Sequence, residues 1–207
     1  MMGRSHRVSG IAAGLGYADY LNVPLIILPI VVTLTAVGSL VPDIDCHGST
    51  ASKSLYGFTE VLSWITRRVS HFVYVTTKGR CDEDWEGTHR HLTHTVAFAV
   101  LIGSALWAGI TPWFGSHWGF IMGGALAIGC FVHDLGDSLT LMGCPFLWPL
   151  PIAGETFYEI RPPRLLRFRT GGPFERWIMF PALTLTAVLL VPGVWPLMMS
   201  LLFGVVR

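Results

Sequence analysis

Charged residues divide this chain before any motif is sought. None falls within residues 21–41, 95–132 (as far as Val132) or 178–206. The first and last stretches are each long enough for one bilayer crossing, at about 20 residues per span. The middle one is nearly twice that length and is best cut in two. Residues 96–110 and 118–132 then form its arms, joined by a turn over Thr111-Pro112-Trp113-Phe114-Gly115. Pro, Gly and Trp suit an interfacial loop with aromatic anchors. Ahead of the first stretch, Gly10, Ala12, Ala13, Gly14 and Gly16 recur at a spacing that lets helices pack closely in lipid. Asp19, Asn22 and Pro24 mark a turn after them. Residues 5–41 therefore read as a helical hairpin, the alternative being a surface helix followed by one span. Pro181, Pro192-Gly193 and Pro196 break residues 178–206 into either a short hairpin or one kinked helix.

Two polar regions remain, 42–94 and 138–177, flanking a second hairpin at 95–137. Within the first, Phe58, Val61, Leu62, Ile65, Val69, Phe72 and Val73 follow a helical spacing, with Arg67, Arg68 and Lys78 near the end. This predicts an interfacial or domain-packing helix. Arg161, Arg164, Arg167, Arg169 and Arg176 populate the second region. A hairpin returns the chain to the side it left, so both basic regions share one face. The positive-inside rule makes that face cytoplasmic. The fold class expected is all-α: a polytopic membrane helical bundle forming one domain over residues 1–207.

Composition narrows the function. Of 207 residues, 52% are hydrophobic and 13% charged, for a formal net charge of +1. The charged share is roughly half the ~25% of an average soluble domain. A soluble globular enzyme and a disordered chain are both disfavoured. Near-neutral charge argues against direct nucleic-acid binding. Cys46, Cys81, Cys130 and Cys144 form no Cys-x-x-Cys and read as free thiols. Arg4 and Arg7 are not followed by a compact signal-peptide core, so the N-terminal segment is expected to be retained.

Ionisable residues cluster at the edges of apolar segments, where they are functional candidates by default. Asp43 and Asp45 follow Pro42, and alternation in an extended stretch would put them on one side. His89, His91 and His94 crowd the start of the third apolar segment, with Arg90 among them. A helix there would give His91 and His94 one face. His133 and Asp137 stand at i and i+4, a spacing that presents an imidazole and a carboxylate together. Glu175 sits in the Gly171-Gly172 turn, where a helix N-terminus alone would favour it. The acidic run 82–86 reads as a solvated loop. His6, Asp43, Asp45, His89, His94, His133, Asp137 and Glu175 all fall at the same end of their segments. Such a set suits a divalent metal, Zn first, with Mn or Mg as alternatives, and room for more than one ion.

These motifs resemble the YdjM-like family. The resemblance rests on Ser5-His6, Pro42-Asp43-Ile44-Asp45, His89-Arg90-x-x-Thr93-His94-Thr95, and His133-x-x-x-Asp137-x-x-Thr140-x-x-Gly143-x-Pro145-x-x-Trp148-Pro149. It covers residues 5–180, with Gly172-Pro-Phe-Glu175-Arg176 as its late segment. His91 and Thr95 depart from the family's Gly and Ser. The resemblance implies an inner-membrane, LexA-binding, metal-dependent hydrolase. It also implies distant similarity to zinc-dependent phospholipase C and zinc-dependent single-strand nucleases, which present ligands from helix ends. A LexA-type partner follows from the family description alone.

The reading that results is a membrane hydrolase acting on a phosphoester, possibly lipid-linked, through metal-activated water. His89, His94, His133, Asp137 and Asp45 are expected as ligands. His6, Asp43 and Glu175 are expected as ligands or general base, and Arg90 as a partner for phosphate oxygens. Two other classes stay open: a non-catalytic scaffold or regulator with a structural metal, and an ion- or proton-coupled transporter.

Overall fold

The computed structural model describes residues 1–46, 49, 58–82 and 90–203. Among the described residues seven α-helices carry the fold: α1 (Gly3–Tyr20), α2 (Leu28–Gly38), α3 (Phe58–Thr77), α4 (Val96–Phe114), α5 (Ser116–Ser138), α6 (Phe180–Leu189) and α7 (Val194–Phe203). Short 3-10 turns precede or follow them at Pro42–Asp45, Leu92–His94 and Arg164–Leu166, and a π-turn at Glu175–Met179 leads into α6. No strand occurs among the described residues, only isolated bridges such as Thr140 with Phe168 and Cys144 with Ile160. The described cysteines are free thiols.

Helices α4 and α5 are each long and apolar enough to cross a membrane. They pair along their lengths, and α5 packs in turn against α2 and α1, with α6 on the far side of α1. Helix α4 shows most of its surface outward, including Val100, Leu101 and Trp107, whereas α5 is the central helix. The corner between them differs from the five-residue turn that the sequence suggests. Helix α4 continues through Pro112 to Phe114, and Gly115 alone turns the chain, at φ +85°. Pro112 lies in the last turn, so whatever bend its ring imposes affects only the end of the helix. The residue that must adopt a left-handed conformation is the glycine. Trp113 and Phe114 stay exposed at this tip.

Residues 178–206 do not form one kinked helix over their described part. Helix α6 ends at Leu189, Gly193 takes φ +84°, and α7 follows.

Close approach of backbones sets the packing of α2 on α5. A Cβ added at Gly38 would lie 2.5 Å from the Leu126 carbonyl oxygen, and one at Gly129 would lie 2.8 Å from the Gly38 Cα. Both are far inside contact distance, so only glycine at both positions permits this crossing. Gly103 and Gly123 play the same part between α4 and α5. Of the small residues that the sequence singled out in α1, Gly10 and Gly14 approach α2 closely, at Ser39 and Thr35, while Gly16 has open space around it.

Gly129→Ala is expected to destabilise the protein by about 1–3 kcal/mol through overpacking. Gly109→Ala, at a helical glycine with open space around it, is expected to be neutral or stabilising by about 0.5–1 kcal/mol. Thermal melts of the two variants in the same detergent check the contrast; equal behaviour would refute the close-packed crossing.

Candidate metal centre

The α2–α5 crossing delivers the first element of the site. Just beyond Gly38, the Ser39 carbonyl accepts from His133 Nδ1 at 2.8 Å. With Nδ1 carrying the proton, Nε2 of His133 points its lone pair into the protein. One turn on, Asp137 follows on the same face, its Oδ2 3.7 Å from His133 Nε2.

His94 arrives from the 3-10 turn before α4, and its tautomer is also determined. The Thr93 hydroxyl donates to Asp45 Oδ2 at 2.7 Å. That hydroxyl therefore meets His94 Nδ1, 3.0 Å away, with a lone pair, and Nδ1 is the donor. Nε2 of His94 is then free to face inward. It lies 3.3 Å from His133 Nε2, 3.7 Å from Asp137 Oδ2 and 3.8 Å from Asp43 Oδ1. Asp43 Oδ1 is 3.6 Å from His133 Nε2. His94, His133 and Asp137 are sealed from solvent, while the Asp43 side chain remains 19% exposed.

Asp43, His94, His133 and Asp137 thus bring one donor atom each within 4.8 Å of one another. Two imidazole nitrogens and two carboxylates this close repel unless a proton or a cation lies among them. Four ligands around a tetrahedral ion with bonds of about 2.0–2.1 Å would sit roughly 3.3 Å apart, close to the separations found. The set is a potential metal-binding group, and its chemistry fits a divalent ion. Burial raises the Asp43 carboxyl's pKa, but the neighbouring imidazoles of His94, His133 and His6 outweigh it, holding that pKa well below the usual range. For His94, burial lowers the pKa, while Asp43 and the other nearby carboxylates raise it further than burial takes it down. A bound cation would replace the proton these groups share.

The other expected site residues lie around this set. Asp43 and Asp45 do not share a side, because residues 42–45 form a 3-10 turn and not an extended stretch. At three residues per turn, positions two apart diverge. Asp43 enters the cluster, while Asp45 orients His94 through Thr93. His6 stacks on His133 with ring centroids 3.7 Å apart, and its Nε2 is 3.2 Å from Asp137 Oδ1. Arg90 holds Asp137 Oδ2 at 2.8 Å and donates to Thr140 Oγ1 at 3.0 Å, so its guanidinium is engaged inside the protein. Glu175 lies outside the donor set and accepts from Gly171 N at 2.7 Å and Met2 N at 2.6 Å, fastening the start of α1. The Met1 amine also contacts Asp137. His89 lies outside the described residues. His91 does not share a face with His94; its ring meets Tyr74 edge-on at 4.9 Å.

Two acidic residues escaped sequence reasoning. Asp134 is fully buried beside His133, and its carboxylate oxygens find no hydrogen-bond partner among the described residues. Its signal was adjacency to His133, and i, i+3 spacing to Asp137. Asp82, expected in a solvated run, accepts from the backbone N–H groups of Gly79, Thr156 and Phe157 at 2.6, 3.0 and 3.1 Å. It fastens the chain after α3 to the 154–157 loop. Nothing local in the sequence marks that partner.

An all-helical protein with an apolar hairpin of membrane-crossing length and a His–Asp donor set at one end belongs among membrane proteins with a potential metal site. The family is identified by comparison: the profile of the YdjM inner membrane protein family matches residues 1–203, and the chain belongs to that family. No curated protein and no solved structure matches it.

Replacing His94 or His133 with Ala is expected to reduce bound metal in the purified protein below one ion per chain. Thr93→Val, which breaks the path from Asp45 to His94, is expected to weaken metal affinity about 10–100-fold. Metal analysis and competition with a calibrated chelator check both; unchanged metal content in both histidine variants would refute the site.

Proposed function

We propose that the protein is a multi-pass membrane hydrolase that uses a divalent metal, Zn first and Mn or Mg as alternatives, to cleave a phosphoester at the cytoplasmic face. The observation that supports this reading most is the pair of inward-facing Nε2 atoms 3.3 Å apart, flanked by Asp43 and Asp137. Asp43, His94, His133 and Asp137 would hold the ion. When bound, a divalent metal supplies Lewis acidity towards water and phosphoryl oxygens.

The chain's own residues supply the rest. Ser39 and Thr93 fix the two imidazoles in ligating tautomers. Arg90 orients Asp137 and braces Thr140. Asp43, the member of the set with solvent exposure, stands where a substrate would enter. His6, stacked on His133 across the fold, and Asp134, next to His133 in the chain, stand where they would serve proton movement at this end. Absence of a thiolate supports a working centre over a structural zinc, since structural zinc sites are usually rich in cysteine. Burial of the other three donors favours a second reading, a structural ion in a non-catalytic scaffold.

One experiment separates them. Detergent-purified protein is assayed on phosphodiester and phosphomonoester probes with and without chelator. Hydrolysis is expected that chelator abolishes, divalent metal restores, and Asp137→Asn reduces to the chelated level. Bound metal with no turnover on any probe would favour the scaffold. Orientation is checked separately: the exposed Cys81 is expected to react with an impermeant maleimide in inverted, not right-side-out, vesicles.

A further inference from the structure

Helices α1 and α2 meet where Gly10 faces Ser39 and Gly14 faces Thr35. These two pairings fix the register of the pair: the start of α1 lies beside the end of α2. Next to this contact the two helices leave an open groove of about 290 Å³. Arg7 and Ile11 line it from α1, and Val32, Ala36, Val37 and Leu40 from the facing side. Thr33, at the far end, is the one other polar residue of the lining.

Polarity changes along the groove. Arg7 and Leu40 stand at the end that carries the donor set, since Leu40 follows Ser39 and Arg7 follows His6 in the chain. Ile11 and Ala36 lie one turn further from that end, and Val32 two turns. His6 is buried against Asp137, whereas Arg7, the next residue of the helix, is exposed.

Arg7 makes no ion pair or hydrogen bond among the described residues. The neighbouring arginines are engaged within the protein. The Arg4 guanidinium lies 4.7 Å over the Phe180 ring, and Arg90 holds Asp137. The positive charge at the mouth of the groove is therefore left for something outside the chain.

Size and polarity together select the occupant. The groove has the volume of about ten waters at ~30 Å³ each, which suits a single alkyl chain. A helix about 10 Å across could only lie over it. A phospholipid in the leaflet on the donor-set side has the same order of groups, with phosphate at the surface and alkyl chains running inward. Basic pockets between membrane helices are places where anionic headgroups bind. Arginine suits the junction, because its aliphatic stem lies on apolar surface while its guanidinium takes phosphate oxygens bidentately.

We propose that the α1–α2 groove binds one anionic phospholipid, with its phosphate on Arg7 and one acyl chain along Ile11, Val32, Ala36 and Leu40. The proposal rests on the α1–α2 hairpin lying in the bilayer beside α4 and α5. It requires no turnover at the metal centre.

The test is native mass spectrometry of the full chain in detergent, with dioleoyl phosphatidylglycerol and dioleoyl phosphatidylcholine as probes. Wild type is expected to retain one phosphatidylglycerol per chain and to bind phosphatidylcholine about fivefold more weakly. R7Q is expected to lose that preference, and R7K to keep it. Arg7 has no protein partner to lose, so this pair of variants tests the site without testing folding. A36W, which fills the groove and leaves Arg7 in place, is expected to weaken phosphatidylglycerol binding about tenfold. Glycerophosphoglycerol, the headgroup without chains, is not expected to compete. Wild-type binding by R7Q or by A36W would overturn the proposal, as would equal binding of the two lipids by wild type. A lipid-independent dimer broken by A36W would assign the groove to a second copy of the chain, and would overturn it too.

Discussion

Contact between the backbones of α2 and α5 at Gly38 and Gly129 governs the end of the molecule where the donor set lies. It places the Ser39 carbonyl on His133 Nδ1. From that one hydrogen bond follow the tautomer of His133, the inward direction of its Nε2, and the position of Asp137 one turn later. A side chain at either glycine would separate the helices and remove the acceptor before it disturbed any donor directly. The site is therefore held by helix packing first and by polar contacts second, as expected where lipid offers no hydrophobic drive for helix association.

Much of this was legible in the sequence, for physical reasons that can be named. Charge-free stretches and small-residue spacing revealed helices because both follow from the periodicity of the elements themselves. His133 and Asp137 could be paired because i, i+4 neighbours meet on any helix. The pairing of Asp43 with Asp45 failed because a 3-10 turn replaced an extended segment, and a proline-led turn of four residues has no periodicity to read. Asp82 was misjudged, and the carboxylate partner of Arg90 could not be named, for a different reason. Their partners, the 154–157 backbone and Asp137, lie far away in sequence, and only tertiary structure brings them close.

Helix α3 shows how pattern and environment can be read together. Its apolar stripe was evident, but periodicity cannot say which face is buried. The structure shows the stripe outside and hydroxyls inside. In an ordinary soluble protein this arrangement would waste apolar area. Beside α4, whose own surface is mostly apolar and exposed, it is coherent with a molecule whose exterior solvent is not only water.

The donor set is drawn from three separate parts of the chain, with Asp43, His94 and the His133–Asp137 pair each on a different segment. Only the last two are neighbours on one helix. Before α2, α4 and α5 have docked, no more than a two-ligand fragment exists, and neither imidazole has its tautomer fixed. The donor set is consequently a late product of assembly: α2, α4 and α5 must pack together before all four residues can converge. The spacing of these residues in the chain thus ties the completeness of the set to tertiary packing, and a partly packed chain would offer only a fragment of it.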